Sequence, residues 1–597
     1  MSPHLPLGLL LLAAMTTACG DGGKTPVDPP AGAVASITIT PGDLTFPSLG
    51  LTANLTAVAR DAQGSTVSDA AITWAKRGSG VITVSASGVV TAVGQGTDSV
   101  IATSGAARAA IGVAVQQVIN GISVSAPTTT FTRALQTTTI SGQVIDGNGQ
   151  VVPGAHLTFS SADPSIIFVT PAGVATAAKA GTTTITATSG AMTGTITLTA
   201  DFQGPLGPGL TGQARPCSGG TVGPFPCNAV TLLSYLPIAA IGGAPGVDLN
   251  DVWGWTDQST GREYALVGRR DGIAFVDVTS GTDPRFLGYL PITPGAAANV
   301  WHDVKVYADH AYIVADGAGP HGMQVFDLHE LRSVVVPKQF APVTVYTGVR
   351  SAHNMVINEA TGFGYIVGAS GGGNTCGGGL HMVNLQVPTA PTFAGCFNDD
   401  QTGRARTGYT HDAQCVTYTG PDATYQGHEI CFGSNETALS IADVTDKSVP
   451  KALSRASYPA VSYTHQGWLT PDQRYLYVND ELDELNGLAS NTRTLIWDVA
   501  DLEDPVLVGQ FMGPTSASDH NNYIRGTTMF ASNYQYGMRV ISVANPLAPV
   551  QIGYIDTSPL RPNLPGFEGS WSNFPFFPSG NVVITSGEEG LFVVRVP

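Results

Sequence analysis

Five histidines open short strand-like runs in the second half of the chain: His302 in "VWHDVKVY", His353 in "SAHNMVI", His411 in "YTHDAQCV", His465 in "YTHQGWL" and His520 in "SDHNNYI". Imidazole can ligate a divalent transition metal, carry a proton near neutral pH, or hydrogen-bond on two sides. Acids accompany these rings. Asp303 and Asp412 each follow a histidine directly, and Asp480 and Glu481 lie in the acidic run "NDELDEL". If they converge, nitrogen and oxygen donors suit a divalent metal ion, and an aspartate beside a histidine suits the task of orienting its ring. A plainer reading competes. A histidine repeated in register is what a scaffold needs to tie one repeat to the next by hydrogen bonds. Neighbouring strand residues also face opposite sides, so a histidine and its aspartate need not share a site. The expectation is scaffold first, metal or ligand binding second and direct catalysis last. No HExxH or GxSxG occurs, so the common hydrolase chemistries have no motif behind them. "NDELDEL" lacks the EF-hand order and reads as a solvated loop.

Asn250 and Trp571 occupy the equivalent places in two further units, which gives seven openings spaced 51 to 58 residues apart. A period near 50 with several strands per unit predicts a β-propeller. The last unit ends at "GLFVVRVP" without a fourth strand, while "VTLLSYLPI" (230–238) looks like the fourth strand "PRFLGYLPI" yet precedes the first unit. This strand is expected to complete the seventh blade and close the ring, pairing edges that would otherwise be exposed. The first strand of each blade would then line a channel, with the histidines around one mouth.

Region 230–597 resembles the LVIVD-repeat propellers, and more closely the choice-of-anchor B proteins. The stretches that carry the resemblance are "WHDVKVYADHAYIVAD", "SAHNMVINEATGFGYIVGASGGGNTCGGGLHMVNL", "YTHDAQCVTYTGPDATYQGHEICFGSNETALSIADVTD" and "YTHQGWLTPDQRYLYVNDELDE". It implies an exported protein fixed to the cell envelope by a member-specific device, and brings no established catalytic activity.

Upstream, 34–117 and 118–201 are two units of alternating short strands, the pattern of β-sandwiches. "SGVVTAVGQGTDSVIATSG" and "AGVATAAKAGTTTITATSG" resemble bacterial Ig-like domains of group 2, which implies a stalk or adhesion module. Residues 202–229 read as a linker and the Gly/Pro-rich 20–33 as a tether. Segment 1–19 has an apolar stretch, Leu7 to Met15, followed by small residues, which is the plan of a secretory signal. Cys19 resembles a lipobox cysteine and is the expected lipidation site. The other six cysteines fall in sequence-near pairs, Cys217/Cys227, Cys376/Cys396 and Cys415/Cys431, consistent with disulfides in an oxidising compartment.

The net charge of −17, with only 12% charged residues, offers phosphates no basic surface, so nucleic acid is not an expected partner. The fold class expected is all-β: two Ig-like sandwiches, then a seven-bladed propeller closed by an N-terminal strand. The function expected is cell-surface binding or adhesion. A protein, glycan or small ligand would bind at the histidine-bearing face, and the membrane would be reached only through the lipid. The alternative is a metal-binding protein or metal-dependent enzyme.

Overall fold

The structure is a computed structural model that describes residues 32–596. Segment 1–19 with Cys19, and almost all of the 20–33 tether, lie outside the described residues. The protein is all-β. Four short 3-10 helices are its only helical elements among the described residues, and none is long and apolar enough to cross a membrane.

The chain forms two compact units. The first takes residues up to 123 together with 142–157 and 188–194; the second takes 124–141, 158–187 and everything from 195 onward. In the first unit, a four-stranded sheet (Leu44–Phe46, Ala107–Val115, Gly96–Ser104, Thr73–Lys76) and a three-stranded one (Thr52–Asn54, Val89–Ala92, Ile82–Val84) bury Phe46, Ile82, Val90, Val100 and Ile111. Residues 118–201 repeat the same sheet orders. They contribute to both compact units rather than forming a separate third one.

From Leu249 onward the chain makes, in succession, seven sheets of four or more strands, antiparallel except where Arg285–Pro291 and Lys338–Gln339 run parallel, and one further pair, Val349–Ser351 with Ser370–Gly373. Their first strands are Leu249–Asp257, His302–Tyr307, Asn354–Asn358, Asp412–Thr417, Thr464–Leu469, Asn522–Arg525 and Ser570–Phe574. Each first strand adjoins the next, and the seventh adjoins the first. The ring has no single core. Apolar clusters lie instead between each pair of neighbouring sheets. Tyr264 and Leu266 pack toward the second sheet with Ile313 and Phe326, while Ala265 and Val267 of the same strand pack toward the seventh with Val583 and Val593. Alternate side chains thus serve two clusters. This is why the middle strands read as near-continuous apolar runs, as expected where both faces of a sheet are covered.

Closure comes from Thr231–Pro237. This strand lies antiparallel to the last strand, Gly590–Arg595, with Leu232 opposite Val594 and Tyr235 opposite Phe592. Tyr235 is fully buried, packs against Phe225 and Phe592, and donates its hydroxyl to the Glu589 carbonyl at 3.0 Å. Tyr235→Phe is expected to leave that buried carbonyl without its donor and to lower stability by about 1–2 kcal/mol, read from denaturant midpoints.

Three disulfides join Cys217 to Cys227, Cys376 to Cys396 and Cys415 to Cys431. Cys415 and Cys431 are direct cross-strand partners in the fourth sheet. Three such bonds fit an exported protein in an oxidising compartment.

Candidate metal centre

The histidines lie within two residues of the first-strand starts, so the rings gather where these strands begin. Three first strands have a register irregularity at this level: between Leu249 and Val252, between Thr464 and Gln466, and between Ser570 and Ser572. A bulge re-aims side chains and breaks strict alternation. His353, His411, His465 and His520 form a continuous arc of imidazoles, with successive ring centroids 4.1, 4.3 and 4.5 Å apart.

Each ring of the arc is held through Nδ1. His411 Nδ1 faces the His465 carbonyl at 3.0 Å, and His520 Nδ1 faces the Trp571 carbonyl. His465 Nδ1 lies 3.3 Å from Asn479 Oδ1, and His353 Nδ1 lies 3.0 Å from Asp316 Oδ2. All four partners are oxygens that accept, so the proton sits on Nδ1 and the Nε2 lone pair is left for another partner. Two of these bonds run from one sheet to the backbone of the next. Asn250, which stands in for histidine in the first sheet, does the same by donating its amide to the Val300 carbonyl. At His411, His520 and Asn250 the recurring polar residue therefore ties one sheet to the next, and the far nitrogen of each of these histidines stays available.

Glu481 meets those nitrogens. One carboxylate oxygen lies 3.8 Å from His465 Nε2, the other 3.8 Å from His520 Nε2. The Tyr534 hydroxyl donates to Glu481 at 2.6 Å and fixes its orientation. Ligand atoms of His411, His465 and Glu481 all fall within 4.8 Å of one another. Donors bound to one tetrahedral ion at about 2.0–2.2 Å sit roughly 3.4 Å apart, so a small inward movement suffices. A cavity of about 20 Å³ adjoins the four rings and is lined also by His302, Asp251 and Trp571; it has room for one water or ion and not for an organic substrate.

Burial, reinforced by the neighbouring rings, lowers the basicity of His411, His465 and His520. His465 and His520 are pushed down to about 3, and His411 falls well below the usual imidazole range. These rings are neutral at physiological pH, the form that binds metal.

The other residues expected at the site divide differently. His302 belongs to a strand without a bulge, lies beside His321 at a centroid distance of 5.8 Å, and has neither ring nitrogen in a hydrogen bond. Burial and His321 push it down to about 3. Asp480 accepts from Tyr458 at 2.9 Å and from the amides of Ser462 and Tyr463 at 2.6 and 2.7 Å, so it shapes its loop instead of facing the rings. The run "NDELDEL" is not solvated at its acids. Asp483 and Glu484 are buried, and Arg493 donates its Nε to Asp483 and its amide to Glu484.

Neither Asp303 nor Asp412 orients an imidazole; backbone carbonyls, Asn479 and Asp316 hold the arc. Asp303 accepts from Lys305 and, at 2.7 Å, from the amide of Met355 on the next first strand. Asp412 accepts from the Ala413 amide at 2.7 Å and is pushed up to about 6 by burial. Lys305 also reaches Asp251 at 3.3 Å and the Val304 carbonyl at 3.3 Å. A lone lysine inside the apolar strand "HDVKVY" was the sequence signal of this buried charge cluster, but its partner Asp251 lies 54 residues away.

No known family profile matches the chain, and no curated protein does. Among solved structures, a protein from Lactobacillus plantarum is similar at 14% identity over 57% of this chain and 88% of its own, with a TM-score of 0.37. A hypothetical selenium-binding protein from Sulfolobus tokodaii is similar at 13% identity over 58% and 83%, with a TM-score of 0.36. Two domains of the S-layer protein SbsC are similar at 17% identity over 28% and 97%, with a TM-score of 0.14.

Proposed function

We propose that this is an exported cell-envelope protein whose seven-sheet ring is a β-propeller that binds a divalent transition metal at one channel mouth. The observation that carries the metal reading is the arc itself: four imidazoles pinned through Nδ1, with Glu481 set across from the Nε2 atoms of His465 and His520. His411, His465 and Glu481 are the first ligands, and His520 stands next to them. The small cavity favours metal binding over turnover of an organic substrate.

In this reading the Ig-like units form a stalk, Cys19 carries a lipid, and the propeller is presented away from the membrane. The resemblance to choice-of-anchor B proteins supports that order, and the three disulfides support export. Titration of the purified full chain with Zn²⁺, Ni²⁺ and Cu²⁺ tests it. One tightly held equivalent of at least one ion, removed by a strong chelator, is the expected result. Failure of all three ions to bind would end the metal reading and leave the histidines as scaffold alone.

A further inference from the structure

The seven first strands run from the histidine mouth to a second, larger cavity at their far ends. Its volume is about 640 Å³, the size of a small-molecule site. Six first strands contribute backbone or side chains to it, and Trp253, Trp468 and Phe576 present partly exposed rings. These rings form a braced platform around Tyr523, with centroid separations of 5.7 Å to Trp253, 5.0 Å to Trp468 and 6.3 Å to Phe576.

The charge at the floor is already satisfied. Lys305 places its ammonium 4.6 Å from the Trp253 ring centre and donates to Asp303, Asp251 and the Val304 carbonyl. An ammonium has three donors, so none is left over for an anion. A cationic ligand would meet this same ammonium on the aromatic face it needs. Neither sign of charge is selected. The walls still offer neutral hydrogen-bonding groups. Gln414 uses its Oε1 on the Leu469 amide and keeps its NH₂, and Gln258 at the exposed rim has no side-chain hydrogen bond among the described residues. A purely apolar ligand would desolvate these groups without compensation. A ligand with an apolar face and hydroxyl edges satisfies both platform and walls.

We propose that this cavity binds a neutral sugar ring of a glycan, stacked on Trp468 and Trp253 and hydrogen-bonded by Gln414 and Gln258. The test is tryptophan fluorescence of the full chain titrated with maltose, cellobiose, lactose and chitobiose. Saturable quenching by at least one disaccharide is expected, weakened about tenfold or more by Trp468→Ala and by Gln258→Ala. Gln258 is exposed, so its variant tests binding without threatening the fold. Neither substitution should change metal content, since the histidine arc lies at the other end of the strands. No saturable binding by any of the four sugars overturns the proposal. So does binding that survives both substitutions, or occupancy by the apolar dye ANS that no sugar displaces.

Discussion

Replacing Lys305 by methionine is expected to lower the stability of the seven-sheet region by about 3–5 kcal/mol at neutral pH. Among the described residues the ammonium is the one cation bonded to Asp251 and Asp303, and all three side chains are buried. Burial pushes Asp303 well above the ordinary carboxylate range, and the neighbouring Asp251 adds to the rise. Burial works the same way on Asp251, but there Lys305, together with hydrogen bonds to Asp303, Ser572 and the Val252 amide, outweighs it and holds the carboxyl below its usual range. Without the lysine, Asp251 becomes a buried carboxylate with no counter-charge, and its folded pKa rises above the unfolded value of about 3.9. Such a group favours the folded state below its unfolded pKa and loses that contribution as pH climbs through the folded value. The penalty of Lys305→Met should therefore shrink in acid and grow toward neutrality. Denaturant midpoints at several pH values read it, and adding Asp251→Asn should restore part of the loss, since the two side chains are directly coupled.

The second large effect is expected at His411, where alanine and asparagine should part company. Alanine removes Nε2 from the metal site and also leaves the buried His465 carbonyl without its Nδ1–H donor. Metal affinity should fall by more than the roughly 10–100-fold typical of losing an outer-shell partner. Stability should fall by about 1–3 kcal/mol for the orphaned carbonyl. Asparagine should lose the metal as completely while sparing the fold. Its side-chain NH₂ can take over the tie to the next sheet, as Asn250 does to Val300 and Asn354 does to His411. Metal titration and thermal unfolding of the two variants separate the two jobs of one imidazole.

Much of the ring was legible because its signals are local. The seven openings, the alternating strands and the paired cysteines all lie within short windows. The strand Thr231–Pro237 betrayed its destination by its likeness to the fourth strand of another repeat, and it pairs with Gly590–Arg595. The site was legible only in part. His302 and His465 look alike as sequence, but the His302 ring stands beside His321 with neither nitrogen hydrogen-bonded, while the His465 ring joins the arc and faces Glu481. Asp480 and Glu481 are neighbours in the densest acidic run, yet backbone amides take the first and only the second reaches the imidazoles. Such outcomes depend on which donor lies nearest once the sheets are stacked, and no window of sequence contains that. The same holds for Asp251 with Lys305 and for Trp253 with Trp468, which come together only because the first strands surround a common channel.

In the proposed site His411 and His465 serve architecture through Nδ1 and a metal through Nε2. Metal content of purified full-length His411→Asn, measured beside the unsubstituted chain at equal folded fraction, tests it most directly. One equivalent of transition metal in the unsubstituted chain and almost none in the variant, with closely similar unfolding temperatures, is the expected result. Equal metal content in both proteins, or none in either, would contradict it.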